Sequence, residues 1–108
     1  YLCHMIIYNV TLSINEEVAV DWLLWMQEIH IPSIMDTGCF MECRLSKILG
    51  EQEGGIAYSV MYLAKNQATL DHYNLMFALE MQKAHADRFA GKFSAFRTSL
   101  ELIKQFDK

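Results

Sequence analysis

Lysine and arginine are missing from the early part of the chain: none precedes Arg44, and all 108 residues hold only 9 of them against 13 Asp and Glu. The formal net charge is -4. Phosphate binding needs a basic stripe that releases counterions, so nucleic acid is excluded as the main partner. Long apolar runs are missing too. The richest, Trp22-Leu23-Leu24-Trp25-Met26, spans 5 residues, against the roughly 18 that a bilayer crossing requires, so no membrane partner is expected. Proline occurs once, and 53% of residues are hydrophobic while 20% are charged, a composition that excludes disorder and low complexity. Cysteine stops at 3. With no charged start or cleavage site between Tyr1 and Val10, that odd number implies reduced thiols in the cytoplasm rather than a disulfide framework. Cys39 and Cys43 have the spacing of a metal pair, yet on a strand they would stand about 13 Å apart, too far for one ion. They read as small buried hydrophobes.

What the chain does contain is enough length for one domain and two alternating periodicities. Met5 to Ile14 alternates, with Ile6, Tyr8, Val10, Leu12 and Ile14 on one side and Ile7, Asn9, Thr11 and Ser13 on the other. Asn15 before Glu16 and Glu17 is an N-cap with first-turn acids. A helical stripe of Val18, Trp22, Trp25, Met26 and Ile29 follows. Pro32 predicts a kink or restart, and Gly38 the end of the segment. Phe40 to Leu49 alternates again, Gly50 to Gly55 reads as a hairpin connection, and Ile56 to Leu63 is a third strand. Asn66 caps a second helix expected from about Gln67 to Ala90, with the stripe Leu70, Tyr73, Phe77, Met81 and Ala84. The last strand is expected from Phe93 to about Ile103, with Phe96, Leu100 and Leu102 on one face and Arg97 and Glu101 on the other.

The order βαββαβ predicts a ferredoxin-like α+β fold: a four-stranded antiparallel sheet with two helices on one face. It forms a single domain over residues 5–106, with residues 1–4 as an N-terminal extension. Two helices cover only one sheet face. The other is expected to carry Ile7, Asn9, Thr11, Glu42, Arg44, Arg97, Ser99 and Glu101. The third strand has no polar side, since Ala57, Ser59, Met61 and Leu63 oppose Ile56, Tyr58, Val60 and Tyr62. Leu75, Met76 and Leu79 add an apolar patch outside the core stripe of the second helix. Both features predict a symmetric homodimer. The acidic first helix and that patch also leave room for a protein-interaction module.

The runs Met5-Ile6-Ile7-Tyr8-Asn9-Val10-Thr11, His30-Ile31-Pro32, Thr37-Gly38-Cys39-Phe40, Gly54-Gly55-Ile56-Ala57-Tyr58 and His85-Ala86-Asp87-Arg88-Phe89 through Arg97-Thr98 resemble a small bacterial domain-of-unknown-function family. That resemblance, nearly the full length of the chain from Met5, implies membership of the dimeric α+β barrel group, in which two ferredoxin-like sheets pack face to face. It transfers no activity, because the chemistries of that group differ.

Helical spacing places Asn74, His85 and Arg88 within or beside the stripe of the second helix, and His30 beside that of the first. Four polar groups aimed at an apolar interior must pair with each other, backbone, water or a ligand. The expected site is a pocket between helices and sheet for a small anionic or carbonyl compound. His30 and His85 are its catalytic candidates as proton carriers, and Asn74, Arg88, Tyr58 and Trp22 its ligand-binding candidates. Structural roles compete with each: helix-end carbonyls for His85 and Arg88, a carbonyl freed at the kink for His30, and packing for Trp22. No metal site, cofactor motif, phosphate loop or nucleophile elbow is present in the sequence. The reading is a cytoplasmic, homodimeric small-molecule-binding protein with no assignable activity. The enzyme alternative is a cofactor-independent isomerase, lyase or monooxygenase on a small polar or carbonyl substrate.

Overall fold

A computed structural model describes residues 4–50 and 53–108 of the chain. Residues 1–3 of the expected extension, and Glu51 and Gln52 of the expected hairpin connection, lie outside the described residues. The strands are β1 (Ile6–Ile14), β2 (Phe40–Lys47), β3 (Ile56–Ala64) and β4 (Phe93–Glu101). They form one sheet in the order β2-β3-β1-β4, with every neighbouring pair antiparallel. This is the ferredoxin-like arrangement, with all helices on one face. The period-2 pattern of β1 decides which face: Ile6, Tyr8, Leu12 and Ile14 are buried together with Tyr58, Val60, Tyr62 and Ala64 of β3. Each such side chain removed from water contributes about 1.5–3 kcal/mol before the entropy of ordering it is counted.

The first helical segment is interrupted. The Asn15 side chain accepts from the Glu17 amide at 2.9 Å and opens a 3₁₀ turn, Glu16–Val18. Then come α1 (Ala19–Trp25), a π turn (Met26–His30) and α2 (Ile31–Met35). In the wide turn the Ile31 amide donates back to the Met26 carbonyl, five residues earlier. Pro32, which has no amide to offer, is thereby accommodated without breaking the axis. The extra residue shifts the buried stripe. Ile29, expected inside, is 54% exposed; His30 and then Ile34 take the inward positions instead. Gly38, at φ +75°, closes the segment by donating to the Met35 carbonyl.

The second helical segment is broken at Phe77 into α3 (Gln67–Met76) and α4 (Ala78–Arg88). Asn66 caps it as expected, accepting from the Thr69 amide at 2.8 Å. Phe77 leaves helical geometry at φ -128° and ψ -29°, so the stripe is rephased. Leu70 and Tyr73 are buried as read, but Ala78, His85 and Phe89 complete the buried face, while Ala84 is exposed. Leu75, Met76 and Leu79 project outward.

Register corrects the reading of β4. Ile14, Leu12 and Val10 lie opposite Phe93, Ala95 and Arg97, so Phe93, Ala95, Arg97, Ser99 and Glu101 share the helix-covered face. Phe96 and Leu100 lie on the bare face, where they are 62% and 43% exposed. Past Phe93, the larger apolar residues of this edge strand point away from the core. Beyond Phe93 the β4 side chains beneath the helices, from Ala95 to Glu101, are small or polar, and the room they leave is the basis of the site below. A bulge between Phe40 and Glu42 similarly puts Met41 at the surface.

One close approach pins the β3 entry: a Cβ on Gly55 would lie 2.5 Å from the Ile14 carbonyl oxygen and 2.9 Å from Ser13 Oγ. Gly55→Ala should therefore lower stability by about 1–3 kcal/mol in urea unfolding; an unchanged midpoint would contradict this packing.

Candidate functional site

A cavity of about 260 Å³ lies between the sheet and the helices. β1 supplies Tyr8, Val10 and Leu12, and β4 supplies Phe93, Ala95 and Arg97. The π turn and α2 supply Met26, His30 and Ile34, and α4 supplies Met81, Gln82 and His85. The phase shifts described above put both imidazoles here. The π turn rotates His30 inward, and the break at Phe77 rotates His85 inward.

His30 and His85 are 8% and 6% exposed, with ring centroids 5.7 Å apart. The Trp22 indole donates through Nε1 to Nε2 of His85 at 2.9 Å. An acceptor Nε2 fixes the His85 proton on Nδ1. His85 also meets the edge of Phe93 at 4.3 Å between centroids. His30 stacks on Trp25 at 4.5 Å with the rings 18° from parallel. Among the described residues no fully buried side-chain nitrogen or oxygen lacks a partner, and His30, which lines the cavity, makes no side-chain hydrogen bond among them, so its ring nitrogens keep some exposure.

Burial holds both histidines uncharged at neutral pH. The pKa of His30 falls from 6.5 to about 4 by desolvation, with a smaller contribution from His85. That of His85 falls from 6.5 to about 4 by desolvation and then by the Arg97 cation. Burial raises the phenols of Tyr62 and Tyr73, which therefore stay protonated donors. At neutral pH the cavity thus offers uncharged acid–base groups, phenol donors and one guanidinium, in an apolar setting. A metal ion would need three or four ligands, and among the described residues no group of three His, Cys, Asp or Glu side chains comes together.

Other residues expected in the pocket are placed elsewhere. Asn74 is exposed on α3. Arg88 is a surface residue whose guanidinium pairs with Asp21 at 3.3 Å and lies over the rings of Trp25 and Phe89. Asn74 sits beside the Leu70–Tyr73 stripe on its solvent side, and the break at Phe77, which turns the His85 side of α4 inward, carries Arg88 out. The same pairing, with Lys92 on Glu17 at 3.2 Å, partly neutralises the acidic face of the first helix. Trp22 is fully buried and holds His85 from behind. Tyr58 packs under Trp22 at 4.7 Å between ring centroids, outside the lining. Sequence reasoning missed Arg97, Tyr62, Tyr73 and Gln82. For Arg97 the usable signal was Phe93-Ser-Ala95, where counting from the strand start puts odd positions inside.

A lowered histidine pKa makes folding depend on pH with a definite sign. Unfolded, each imidazole takes a proton near 6.5; folded, only near 4. The stability this provides is complete above pH 6.5 and is lost as pH falls toward 4, on the order of 3 kcal/mol per histidine. In an NMR titration His30 and His85 should remain neutral at pH 5.5, and Trp22→Phe should raise the pKa of His85 and leave that of His30 nearly in place. Two imidazoles titrating at ordinary values would contradict the burial described.

No curated protein matches the chain. Several solved structures share its fold. One is SnoaB, a cofactor-independent oxygenase from Streptomyces nogalater, 8% identical with TM-score 0.68, covering 97% of this chain and 99% of that one. Another is a dimeric ferredoxin-like protein from an uncultured marine organism, 7% identical with TM-score 0.67, covering 95% and 99%. A third is a dimeric ferredoxin-like protein of unknown function from Jannaschia, 18% identical with TM-score 0.64, covering 90% and 98%. At such identities the likeness is one of fold. The motifs that resembled a family without assigned function are matched by a family model over residues 5–103, and the chain belongs to that family, described as a domain of unknown function (DUF4286).

Proposed function

We propose that this protein is a cytoplasmic homodimer in which each protomer binds a small anionic or carbonyl compound in the cavity between sheet and helices, without a cofactor. The observation that carries the reading is the pair of buried, uncharged imidazoles on a cavity of about 260 Å³. A purely structural cluster would pair both rings with protein, whereas among the described residues only the His85 ring has a hydrogen-bond partner. Among the described residues no helix is long and apolar enough to cross a membrane, and Cys39 and Cys43 are free thiols.

The dimer is supported by the bare sheet face. Its middle is Ile7, Met61 and Leu63, flanked by Phe96 and Leu100 of β4. The polar groups among them already satisfy one another: Ser59 Oγ donates to Asn9 Oδ1 at 2.7 Å, and Asn9 Nδ2 donates to Thr11 Oγ1 at 3.0 Å. Covering this face would bury apolar surface without stranding these donors and acceptors. The face is also compatible with the dimeric state described for the marine and Jannaschia proteins.

A second reading, a proton-transfer enzyme, is favoured by one feature. His30 is neutral at working pH, so it can accept a proton from an acidic carbon or hydroxyl of a ligand without first losing one. An isomerisation or lyase step of that kind needs only this base and donors for the developing oxyanion.

Sedimentation equilibrium at micromolar concentration should report a dimer, and Leu63→Glu, which sets two carboxylates into one interface, should give folded monomers; a wild-type monomer would overturn the assembly. In fluorine NMR, small fluorinated ketones and carboxylates should bind and shift the imidazole resonances of His30 and His85. His30→Ala should leave the fold intact and weaken those hits several-fold. Absence of any hit that moves either imidazole would overturn the cavity reading.

A further inference from the structure

Arg97 supplies the guanidinium of a cavity that has no acid. Among the residues lining it there is no Asp or Glu. The ion pairs of the described residues join Arg44 with Glu42, Lys83 with Asp87, Arg88 with Asp21 and Lys92 with Glu17; Arg97 is in none of them. Arg97 is exposed at the rim of this chamber, whose lining supplies it with no carboxylate, so its charge is available to a ligand there. Its fork of donors matches one planar, two-oxygen anion. Resting on the cavity reading above, we propose that the ligand is a planar monoanion, an aromatic carboxylate or the enolate of a conjugated carbonyl compound, with its oxygens on Arg97 and its ring or conjugated plane against the apolar and aromatic lining.

Size and charge limit the choice. An apolar cavity of about 150 Å³ takes benzene; about 260 Å³ therefore has room for one ring, a carboxylate and a few further atoms. A phosphate dianion would place a second negative charge where the other lining groups are uncharged, against the desolvation that already keeps both imidazoles neutral. The π faces and apolar side chains favour a flat body over a sugar or polyol, which would leave its hydroxyls unpaired against Leu12, Met26 and Ile34.

The test compares benzoate with benzamide, equal in shape and different in charge, by NMR on the full-length protein with the His30 and His85 resonances as reporters. Benzoate should bind about tenfold more tightly than benzamide. Arg97→Gln should abolish that preference, and Arg97→Lys should restore part of it. Equal binding of the two probes, or a preference that survives Arg97→Gln, overturns the anion assignment and leaves the cavity as a binding site for neutral compounds. If neither probe moves the imidazoles, both the assignment and the cavity reading fail.

Discussion

The hydrogen bond from the Trp22 indole to His85 Nε2, 2.9 Å long and made between residues 63 apart in the chain, joins the first helical segment to the second over the middle of the sheet. Both partners are buried, so neither can exchange the other for water, and losing it would strand a donor and an acceptor at a cost of about 1–3 kcal/mol. Trp22 in turn rests on Tyr58 of β3, and His85 rests on Phe93 of β4. One indole thus sets the height of two helical segments above β3 and β4. It also settles the protonation of His85, because an Nε2 engaged as acceptor keeps its proton on Nδ1.

The cavity is what remains once that bond is made. Ordinary packing would fill the layer between β4 and the helices with large side chains, at the density of organic crystals. Here β4 turns Ala95 and Arg97 toward the helices and Phe96 and Leu100 away from them, and the layer stays open. This unfilled volume and the apolar bare face are two results of one choice of register in the same strand. Each apolar residue sent outward is unavailable to the core, so site and exposed face are coupled through β4.

Much of the fold was legible because local chemistry and tertiary need agree. The alternation of β1, the capping of two helices by Asn15 and Asn66, and the βαββαβ order all follow from short-range rules and reappear in the structure. His30 and His85 were also legible as inward-facing polar residues, since a histidine beside an apolar stripe must find a partner. The neighbours of those histidines were not. Arg88 was placed by extending one helical phase past Phe77, where the helix actually breaks, Asn74 by widening the buried stripe to its neighbour, and Arg97 was assigned to the bare sheet face because Phe96 and Leu100 are the more apolar residues of its strand.

The sequence by itself determined the elements, their order and the net acidic charge, because these depend on periodicity, capping and composition within a few residues. Tertiary structure decided the phase past each interruption: the π turn that leaves Ile29 outside, the break that expels Arg88, and the register that turns Arg97 to the helix-covered face. Phase is a long-range quantity. It is set by which side chain fits against an element folded from a distant part of the chain, and shifting it by one residue changes local energies little while changing which groups meet.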